Sequence, residues 1–492
     1  MTLTQLAEAT GGRLTGADIS FTRLSTDTRT LQAGDAYLAL AGEHFDGNNF
    51  VAQARLAGAV AAIVSRANTE SLPQLVVDDT AVAYATAARL NRRRSEAQVV
   101  ALTGSQGKTT VKEMLAAIFA TYTSTLVTEA NLNNTIGVPL TLLRLEPEHR
   151  FAVIEMGANQ PGEIAFSVAA AEPDIALITN ASPTHIEGFG SLEGIVQAKG
   201  EIIDGIKPNG TLVLNADDAH LTQWQQRAAN TLRVVTFSVE ATQATNNTAD
   251  KATSATSNTT DKATNTTSNA AANATYKAIN VTTDTNGQMH FKLLTPNGEC
   301  PIALKLMGRH NVANALAASA VALEAGVNLD AVQQGLAAVQ AVKGRLQQRR
   351  GLAGSTILDD SYNANPEAFR AAIDVLVKFP GRLILVAGDM KELGAESSSS
   401  HTHLGEYARQ AGVNELWATG EESVNTVAGF GNTAKHFPNK NALLEACRKA
   451  AINENGKVVF LVKGSRGAQM ETIVTGLLEN GKVKTSKGEE QC

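Results

Sequence analysis

Cysteine is scarce: a chain of 492 residues carries only Cys300, Cys447 and Cys492. They stand too far apart for metal-ligand spacing, and three thiols do not make a disulfide framework, so they are read as free thiols. No apolar run is long enough to span a bilayer, and the N-terminal stretch has no basic start leading into an apolar core. These absences predict a cytoplasmic protein without membrane insertion. There is no long basic cluster, and the formal net charge is −6. That argues against a general nucleic-acid binder but leaves room for an anionic ligand held by a few local residues. What is present builds cores: with 43% hydrophobic residues, the chain is long enough for several domains, and three is the working number.

The stretch Gln98-Val99-Val100-Ala101-Leu102-Thr103-Gly104-Ser105-Gln106-Gly107-Lys108-Thr109-Thr110 organises the rest. An apolar strand-like run passes into a Gly-rich turn. Val111, Met114, Leu115, Ile118 and Phe119 then recur at the spacing of one helical face. A phosphate-binding loop needs this context, because backbone N–H groups of the turn and the helix start point at anionic oxygens. Gly104, Ser105, Gln106, Gly107 and Thr110 would line the loop. Lys108 would bring a mobile charge, and the Thr109 hydroxyl would be a Mg²⁺ ligand. The common pattern places its first glycine where Leu102 stands, so this loop is a shortened form.

Residues 1–97 read as a small α/β domain with strand-like runs at Ala36–Leu40, Ala59–Val64 and Leu75–Val77. Within it Ser25, Asp27, Thr28 and Arg29 form a polar cluster that could seat a phosphate or sugar; taken alone it is a solvated turn. Arg92-Arg93-Arg94 reads as a solvated helix end or linker, since three consecutive charges do not share one helix face. Residues 98–342 alternate strands with helices, which predicts a mainly parallel sheet covered on both faces. The strand candidates are Val99–Thr103, Phe151–Met156, Ile175–Asn180 and Thr211–Asn215. Ligands gather at the carboxyl ends of such strands. Glu155 ends one of them and suits Mg²⁺, with a helix cap or surface carboxylate as the equal alternative. By periodicity alone His185 is an ordinary loop histidine and Lys199 an exposed helix lysine. Asn131, Asn133 and Asn134 could reach phosphates or merely turn the chain.

Between residues 242 and 274 the composition is almost wholly Thr, Asn, Ala and Ser, with a repeat seen at Asp250-Lys251-Ala252-Thr253 and Asp261-Lys262-Ala263-Thr264. Too little apolar surface is present to offset the ordering entropy, so a disordered insertion is expected. Hairpin-like runs follow at Ala278–Thr282 and Met289–Leu294. Asn311 and Asn314 then share a face at the start of a long Ala-rich helix, placed to hydrogen-bond a base or to cap the helix. Residues 343–492 return to α/β alternation, with runs at Thr356–Leu358, Leu383–Ala387, Leu416–Ala418 and Val458–Val462. Three of their polar ends, around Asp360, Asp389 and Lys463, make a binding face. The polar tail after Lys482 reads as frayed.

Together these stretches carry a family resemblance over nearly the whole chain. Thr103-Gly104-Ser105-Gln106-Gly107-Lys108-Thr109-Thr110, Glu155-Met156-Gly157, His185 with Ala198-Lys199-Gly200-Glu201, His310-Asn311 to Asn314, and Gly344-Arg345 are similar to the Mur ligases. These are ATP-dependent amide-bond-forming enzymes of peptidoglycan precursor synthesis. Ser25-Thr26-Asp27-Thr28-Arg29, Phe45-Asp46-Gly47, Asp360-Ser361-Tyr362-Asn363-Ala364-Asn365-Pro366, Gly388-Asp389-Met390-Lys391-Glu392-Leu393-Gly394 and Lys463-Gly464-Ser465-Arg466-Gly467 resemble the dipeptide-adding member.

The resemblance implies a three-domain α/β protein: a UDP-sugar-binding domain, a central P-loop-type domain with a mainly parallel sheet, and a C-terminal Rossmann-like ligase domain. It implies ATP and Mg²⁺ as cofactors, UDP-N-acetylmuramoyl-tripeptide and D-alanyl-D-alanine as substrates, and a monomer. Lys108 would stabilise the β- and γ-phosphates, and Thr109 with Glu155 would hold one Mg²⁺. His185 and a carbamoylated Lys199 would serve a second. Asn311 would face the adenine, with Arg345 and Asp360 completing the nucleotide site from across the domain boundary. Ser25, Asp27, Thr28, Arg29, Asn134, Asn363, Asn365, Lys463 and Arg466 would bind substrate. The alternatives are a ligase adding the third residue, a folate polyglutamate ligase, or an ATP-binding switch or scaffold without ligase chemistry. An Asp-Asn-Pro-Arg-type motif, expected of a meso-diaminopimelate-adding ligase, is missing, and Asn365-Pro366-Glu367 fits the dipeptide-adding member instead.

Overall fold

In the computed structural model, residues 1–42, 45–184, 186–228, 232–239, 270–454 and 457–478 are described. The apolar runs read from the sequence become the strands of three sheets. The central one has nine strands, in the order Gly298–Met307, Gln288–Thr295, Tyr276–Thr283, Arg233–Val239, Thr211–Asn215, Ile175–Ile178, Gln98–Thr103, Phe151–Glu155 and Thr125–Val127. From Tyr276–Thr283 to Thr125–Val127 the neighbours are parallel, and the other two strands add an antiparallel edge. The strand Gln98–Thr103 lies between Phe151–Glu155 and Ile175–Ile178, so the chain leaves it to opposite sides. That is the switch point of the sheet, where a crevice opens beyond the carboxyl ends.

A five-stranded sheet precedes this one, in the order Arg13–Thr15, Gln74–Val76, Ala61–Val64, Ala36–Leu38 and Leu24–Ser25. A six-stranded sheet follows, in the order Gln347–Arg350, Thr356–Asp360, Val458–Lys463, Arg382–Ala387, Glu415–Ala418 and Ala434–His436, parallel except at its first strand. Strand ends differ from the sequence reading by one or two residues, and polar residues such as Gln74, Gln98, Asp360, Arg382 and Lys463 join the ladders. Leu40, Met156 and Asn180 lie beyond their strands, and Ala59 precedes its own. The strands Arg13–Thr15, Leu24–Ser25, Thr125–Val127, Arg233–Val239, Gly298–Met307, Gln347–Arg350 and Ala434–His436 escaped the sequence reading.

Arg92 corrects the solvated-linker reading. It lies on the helix Thr80–Arg94 with its side chain 3% exposed. Its guanidinium donates to the Ala171 carbonyl at 3.0 Å, the Ala97 carbonyl at 3.2 Å and Asp174 Oδ2 at 2.8 Å. Arg93 remains half exposed and pairs with Glu172 at 2.6 Å. One flank of the helix (Ala83, Tyr84, Ala87) packs into the N-terminal core and another (Ala85, Ala88) into the central core with Val138, Leu142 and Ile164.

Of the Thr/Asn/Ala-rich stretch, residues 242–269 lie outside the described residues, as does the tail beyond Leu478 with Cys492. Residues 270–274 correct the expected extent of disorder: a short helical turn leads to Ala274, which is buried in the central core. Cys300 and Cys447 are free thiols. Among the described residues no helix is long and apolar enough to cross a membrane.

Candidate active site

The turn after Gln98–Thr103 is held from below by the next parallel strand. Ser105 N–H donates to the Asn180 carbonyl at 3.0 Å and Gln106 N–H to Asn180 Oδ1 at 2.9 Å. The Thr179 hydroxyl donates to the Gln106 carbonyl at 2.6 Å, and the Ser105 hydroxyl to the Ser182 carbonyl at 3.0 Å. Two glycines are required by this packing. Gly104 has φ +144°, and a Cβ there would stand 2.0 Å from Thr179 Oγ1. Gly107 has φ +83°, and its Cβ would stand 2.3 Å from Asn314 Oδ1. L-residues reach such backbone only with strain. The helix Lys108–Ala120 starts at Gly107 without a side-chain cap, so its first N–H groups face the crevice.

Lys108 Nζ donates to the Gly104 carbonyl at 2.6 Å. Burial pushes its pKa down, Arg345 adds to that, and Glu155 opposes it. Thr109 Oγ1 donates to Glu155 Oε1 at 3.2 Å, and Asn133 Nδ2 donates to the same oxygen at 2.8 Å. Glu155 Oε2 is buried with no hydrogen-bond partner. An unpaired buried carboxylate oxygen beside a loop hydroxyl is a hard donor set that fits Mg²⁺. Among the described residues no three His, Cys, Asp or Glu side chains converge on one point. The set therefore suits an ion that also takes oxygens from a phosphate and from water, not one caged by protein alone.

A cavity of about 200 Å³ opens beyond the loop. Ser105, Gln106, Gly107, Thr110, Asn311 and Asn314 line it from the central sheet; Arg345, Asp360, Asn363, Asn365 and Lys463 line it from the third sheet. Two bonds tie these walls together. Arg345 Nη2 donates to Thr109 Oγ1 at 3.1 Å, and Gln106 Nε2 donates to Asn365 Oδ1 at 3.3 Å. Lys463 Nζ bridges Asp360 Oδ2 at 2.5 Å and the Asn363 carbonyl at 2.9 Å. Asn365 also caps the helix Pro366–Leu376.

Asn311 and Asn314 are both buried, and neither caps the helix Arg309–Glu324, whose N-cap is Gly308. Asn311 Nδ2 donates to the Met307 carbonyl at 2.8 Å, and Asn314 Nδ2 to Asn311 Oδ1 at 3.1 Å.

Lys199 corrects the exposed-lysine reading: it is 2% exposed, on the helix Leu192–Asp204. Its Nζ stands 5.3 Å over the Phe189 ring. Burial, helped by the charge of Lys108, lowers its pKa to about 7 against the pull of Glu163 and Glu201. His185 lies outside the described residues.

The remaining candidates stand apart from the cavity. Asn134 Oδ1 accepts from Gly137 N–H at 2.8 Å and fastens the start of the helix Gly137–Leu142. Ser25 donates to the Asp27 carbonyl at 3.1 Å, Thr28 is in the same turn, and Arg29 pairs with Asp27 at 2.7 Å, holding that carboxyl down to about 2. Arg466 is exposed, pairs with Glu471 at 3.0 Å and lies 5.7 Å over the Tyr362 ring.

The structure adds the lining residues Asn215 and Phe237, to which the sequence reading gave no role, and His310, quoted there within its motif. Tyr362, quoted within its motif, carries the Arg345 guanidinium 4.4 Å above its ring. His310 is exposed at the cavity; desolvation by the surrounding walls lowers its pKa, Asp360 opposes this and Lys463 adds to it. Phe237 lies on the strand Arg233–Val239, which the sequence reading did not find.

Comparison with known proteins bears on the whole chain. A model of the Mur ligase middle domain matches residues 102–263 and 244–322. One of the Mur ligase glutamate ligase domain matches 344–466, and one of the Mur ligase family catalytic domain matches 20–119. The UDP-N-acetylmuramoyl-tripeptide--D-alanyl-D-alanine ligase of Escherichia coli (strain K12) is 44% identical over 98% of this chain and 99% of its own. The crystal structure of MurF from Acinetobacter baumannii superimposes with a TM-score of 0.85 at 34% identity, covering 97% of this chain and 99% of that one. The MurF ligase from Thermotoga maritima in complex with ADP gives a TM-score of 0.77 at 25% identity over 93% and 97%.

Proposed function

Because the chain belongs to the Mur ligase family, we propose that the crevice between its second and third sheets joins D-alanyl-D-alanine to UDP-N-acetylmuramoyl-tripeptide, with ATP cleaved to ADP and phosphate. The chain is an ATP-dependent ligase of peptidoglycan precursor synthesis. The observation that carries the site is the pair of bonds Arg345–Thr109 and Gln106–Asn365, which put both sheets around one cavity beside a phosphate loop.

The chemistry needs such an arrangement. A peptide carboxylate is unreactive, since an amine cannot expel oxide from it. Transfer of the γ-phosphoryl group to the carboxylate makes an acyl phosphate, the amine attacks its carbonyl carbon, and the tetrahedral intermediate expels phosphate to leave the amide. Both steps ask for positioning and for neutralisation of negative charge. The loop N–H groups and Lys108 would bind the β- and γ-phosphates. Arg345 would reach the same phosphates from the third sheet, and Asn311 and Asp360 would hold the nucleoside. Closing the third domain completes this set and excludes the water that would hydrolyse the acyl phosphate.

Thr109 and Glu155 would hold one Mg²⁺, and His185 with a carbamoylated Lys199 a second; when bound, these ions would neutralise charge on the transferring phosphoryl group. A carbamate forms only on a neutral amine, and the buried Lys199, with its lowered pKa and apolar neighbour Phe189, meets that condition. Residues 1–97 would bind the UDP-sugar through Ser25, Asp27, Thr28 and Arg29, residues 98–342 the ATP, and residues 343–492 the amine. Asn134, Asn363, Asn365, Lys463 and Arg466 complete the substrate contacts.

The test is phosphate release measured with each substrate alone and with both, over a panel of peptide acceptors. Release that requires both the UDP-linked tripeptide and D-alanyl-D-alanine is expected. ATP hydrolysis unchanged without either would count against the ligase, and a preference for a single amino acid would point to a third-residue-adding enzyme.

A further inference from the structure

Lys112 has no part in the mechanism above, yet it is 2% exposed. It lies one turn beyond Lys108 on the helix Lys108–Ala120. Its ammonium donates to the Thr128 carbonyl at 2.8 Å, and it stands 3.1 Å from Glu113 Oε1 and 4.0 Å from Glu155 Oε2. Thr128 holds the other partner too, since its hydroxyl accepts from Glu155 N–H at 3.0 Å.

A buried lysine beside a buried carboxylate is costly to desolvate, and an apolar side chain would fill the same space without that cost. Packing alone therefore does not account for an ammonium here. The distances do. Thr128 and Glu113 take the ammonium's short contacts and fix it in place. At 4.0 Å it offers Glu155 Oε2 counter-charge, and that oxygen keeps its hydrogen-bonding lone pairs free.

We propose that Lys112 is a positioning residue for Glu155, supplying the charge that steadies the buried carboxylate while leaving Oε2 open to a divalent cation. The proposal rests on the reading of Glu155 as a Mg²⁺ ligand. A lysine that bonded Oε2 directly would compete with the cation; a missing lysine would strip the buried carboxylate of its cation within 4.0 Å and leave it the more distant charge of Lys108.

The experiment compares ADP binding by calorimetry with and without Mg²⁺ in the full chain, for wild type, Lys112→Met and Glu155→Gln. In wild type Mg²⁺ tightens ADP binding. In Lys112→Met that tightening falls by about tenfold or more, as for other groups that orient a metal ligand, while ADP affinity without Mg²⁺ stays near wild type. A role in packing alone would not separate the two affinities. Full tightening in Lys112→Met, with tightening lost in Glu155→Gln, overturns the role of Lys112 alone. Equal tightening in wild type and Glu155→Gln overturns the metal reading of Glu155 and this proposal with it.

Thermal melts in EDTA complete the test even if Lys112→Met folds poorly. The double variant Lys112→Met/Glu155→Gln removes both charges and should recover much of the melting temperature lost in Lys112→Met. Additive losses overturn the pairing.

Discussion

Arg345 is the side chain whose removal says most about how the two halves of the site meet. It makes two contacts: a hydrogen bond to Thr109 Oγ1 at 3.1 Å across the crevice, and a stack 4.4 Å over Tyr362 within its own sheet. A hydrogen bond from a charged group contributes roughly 1.5–3 kcal/mol, and a cation–π contact about 0.5–2 kcal/mol. Arg345→Ala removes both, together with the guanidinium charge proposed to face the phosphates. Roughly 3–4 kcal/mol at the transition state converts to about 10²–10³-fold in kcat. Arg345→Lys retains the charge but not the planar fork or its stack, so it should fall between alanine and wild type. The assay is phosphate release with both substrates saturating, set beside ADP affinity from calorimetry. Because Arg345 acts from the third sheet, kcat should fall far more than ADP affinity. A kcat within twofold of wild type would refute the reasoning. So would an ADP affinity that falls as much as kcat, because Arg345 would then serve ground-state binding only.

Gly107→Ala should weaken ADP binding by about tenfold or more, since it combines a positive φ with a Cβ 2.3 Å from Asn314 Oδ1; calorimetric binding equal to wild type would count against the loop geometry. Lys199→Ala should lose ligase activity and regain part of it with short carboxylates, and normal turnover would remove the carbamate from the mechanism. Lys199 also predicts a pH trend, because its folded pKa of about 7 lies below the free lysine value of 10.5. The unfolded chain therefore binds more protons between those values, so stability should rise with pH from about 7 to 10.5. Lys199→Met should show a flatter rise in thermal melts across that window, and an identical slope would contradict the burial. Arg92→Met should lower the melting temperature, because it leaves the Ala171 and Ala97 carbonyls without their side-chain donor, at a cost of roughly 1–3 kcal/mol for each buried group, while Asp174 keeps Val99 N–H and Lys207; an unchanged melt would refute its structural role.

The strand, Gly-rich turn and helix of the candidate phosphate loop were legible because their evidence is local: an apolar strand, a Gly-rich turn and a helical face follow one another within a few residues. Glu155, Asp360 and Lys463 were legible for a related reason, since parallel strands bring their carboxyl ends to one edge and polar residues there stand out. Arg345 and Asp360 were placed at the nucleotide site by family resemblance. Their partners were not legible, because Thr109 is 236 residues from Arg345 and Gln106 is 259 from Asn365, and no spacing encodes such pairs. Arg92 looked solvated for the same reason: its acceptors at Ala171 and Asp174 lie 79 and 82 residues away. Lys112 is one charge within an amphipathic helix, and periodicity does not distinguish a buried ammonium with distant partners from one in water. The three-residue edge strands are too short for alternation to register.

The helix Thr80–Arg94 decides how this chain could be recombined with its relatives. Its alanines serve two cores at once, and Arg92 anchors it to carbonyls at the foot of the central sheet. Exchanging residues 1–97 alone would deliver half of an interface to a floor shaped for another helix, baring Val138, Leu142 and Ile164 wherever the fit failed. Residues 1–97 are therefore exchangeable only together with the central sheet, and the first clean place for a chimera is near Lys343, just before the third sheet begins at Gln347.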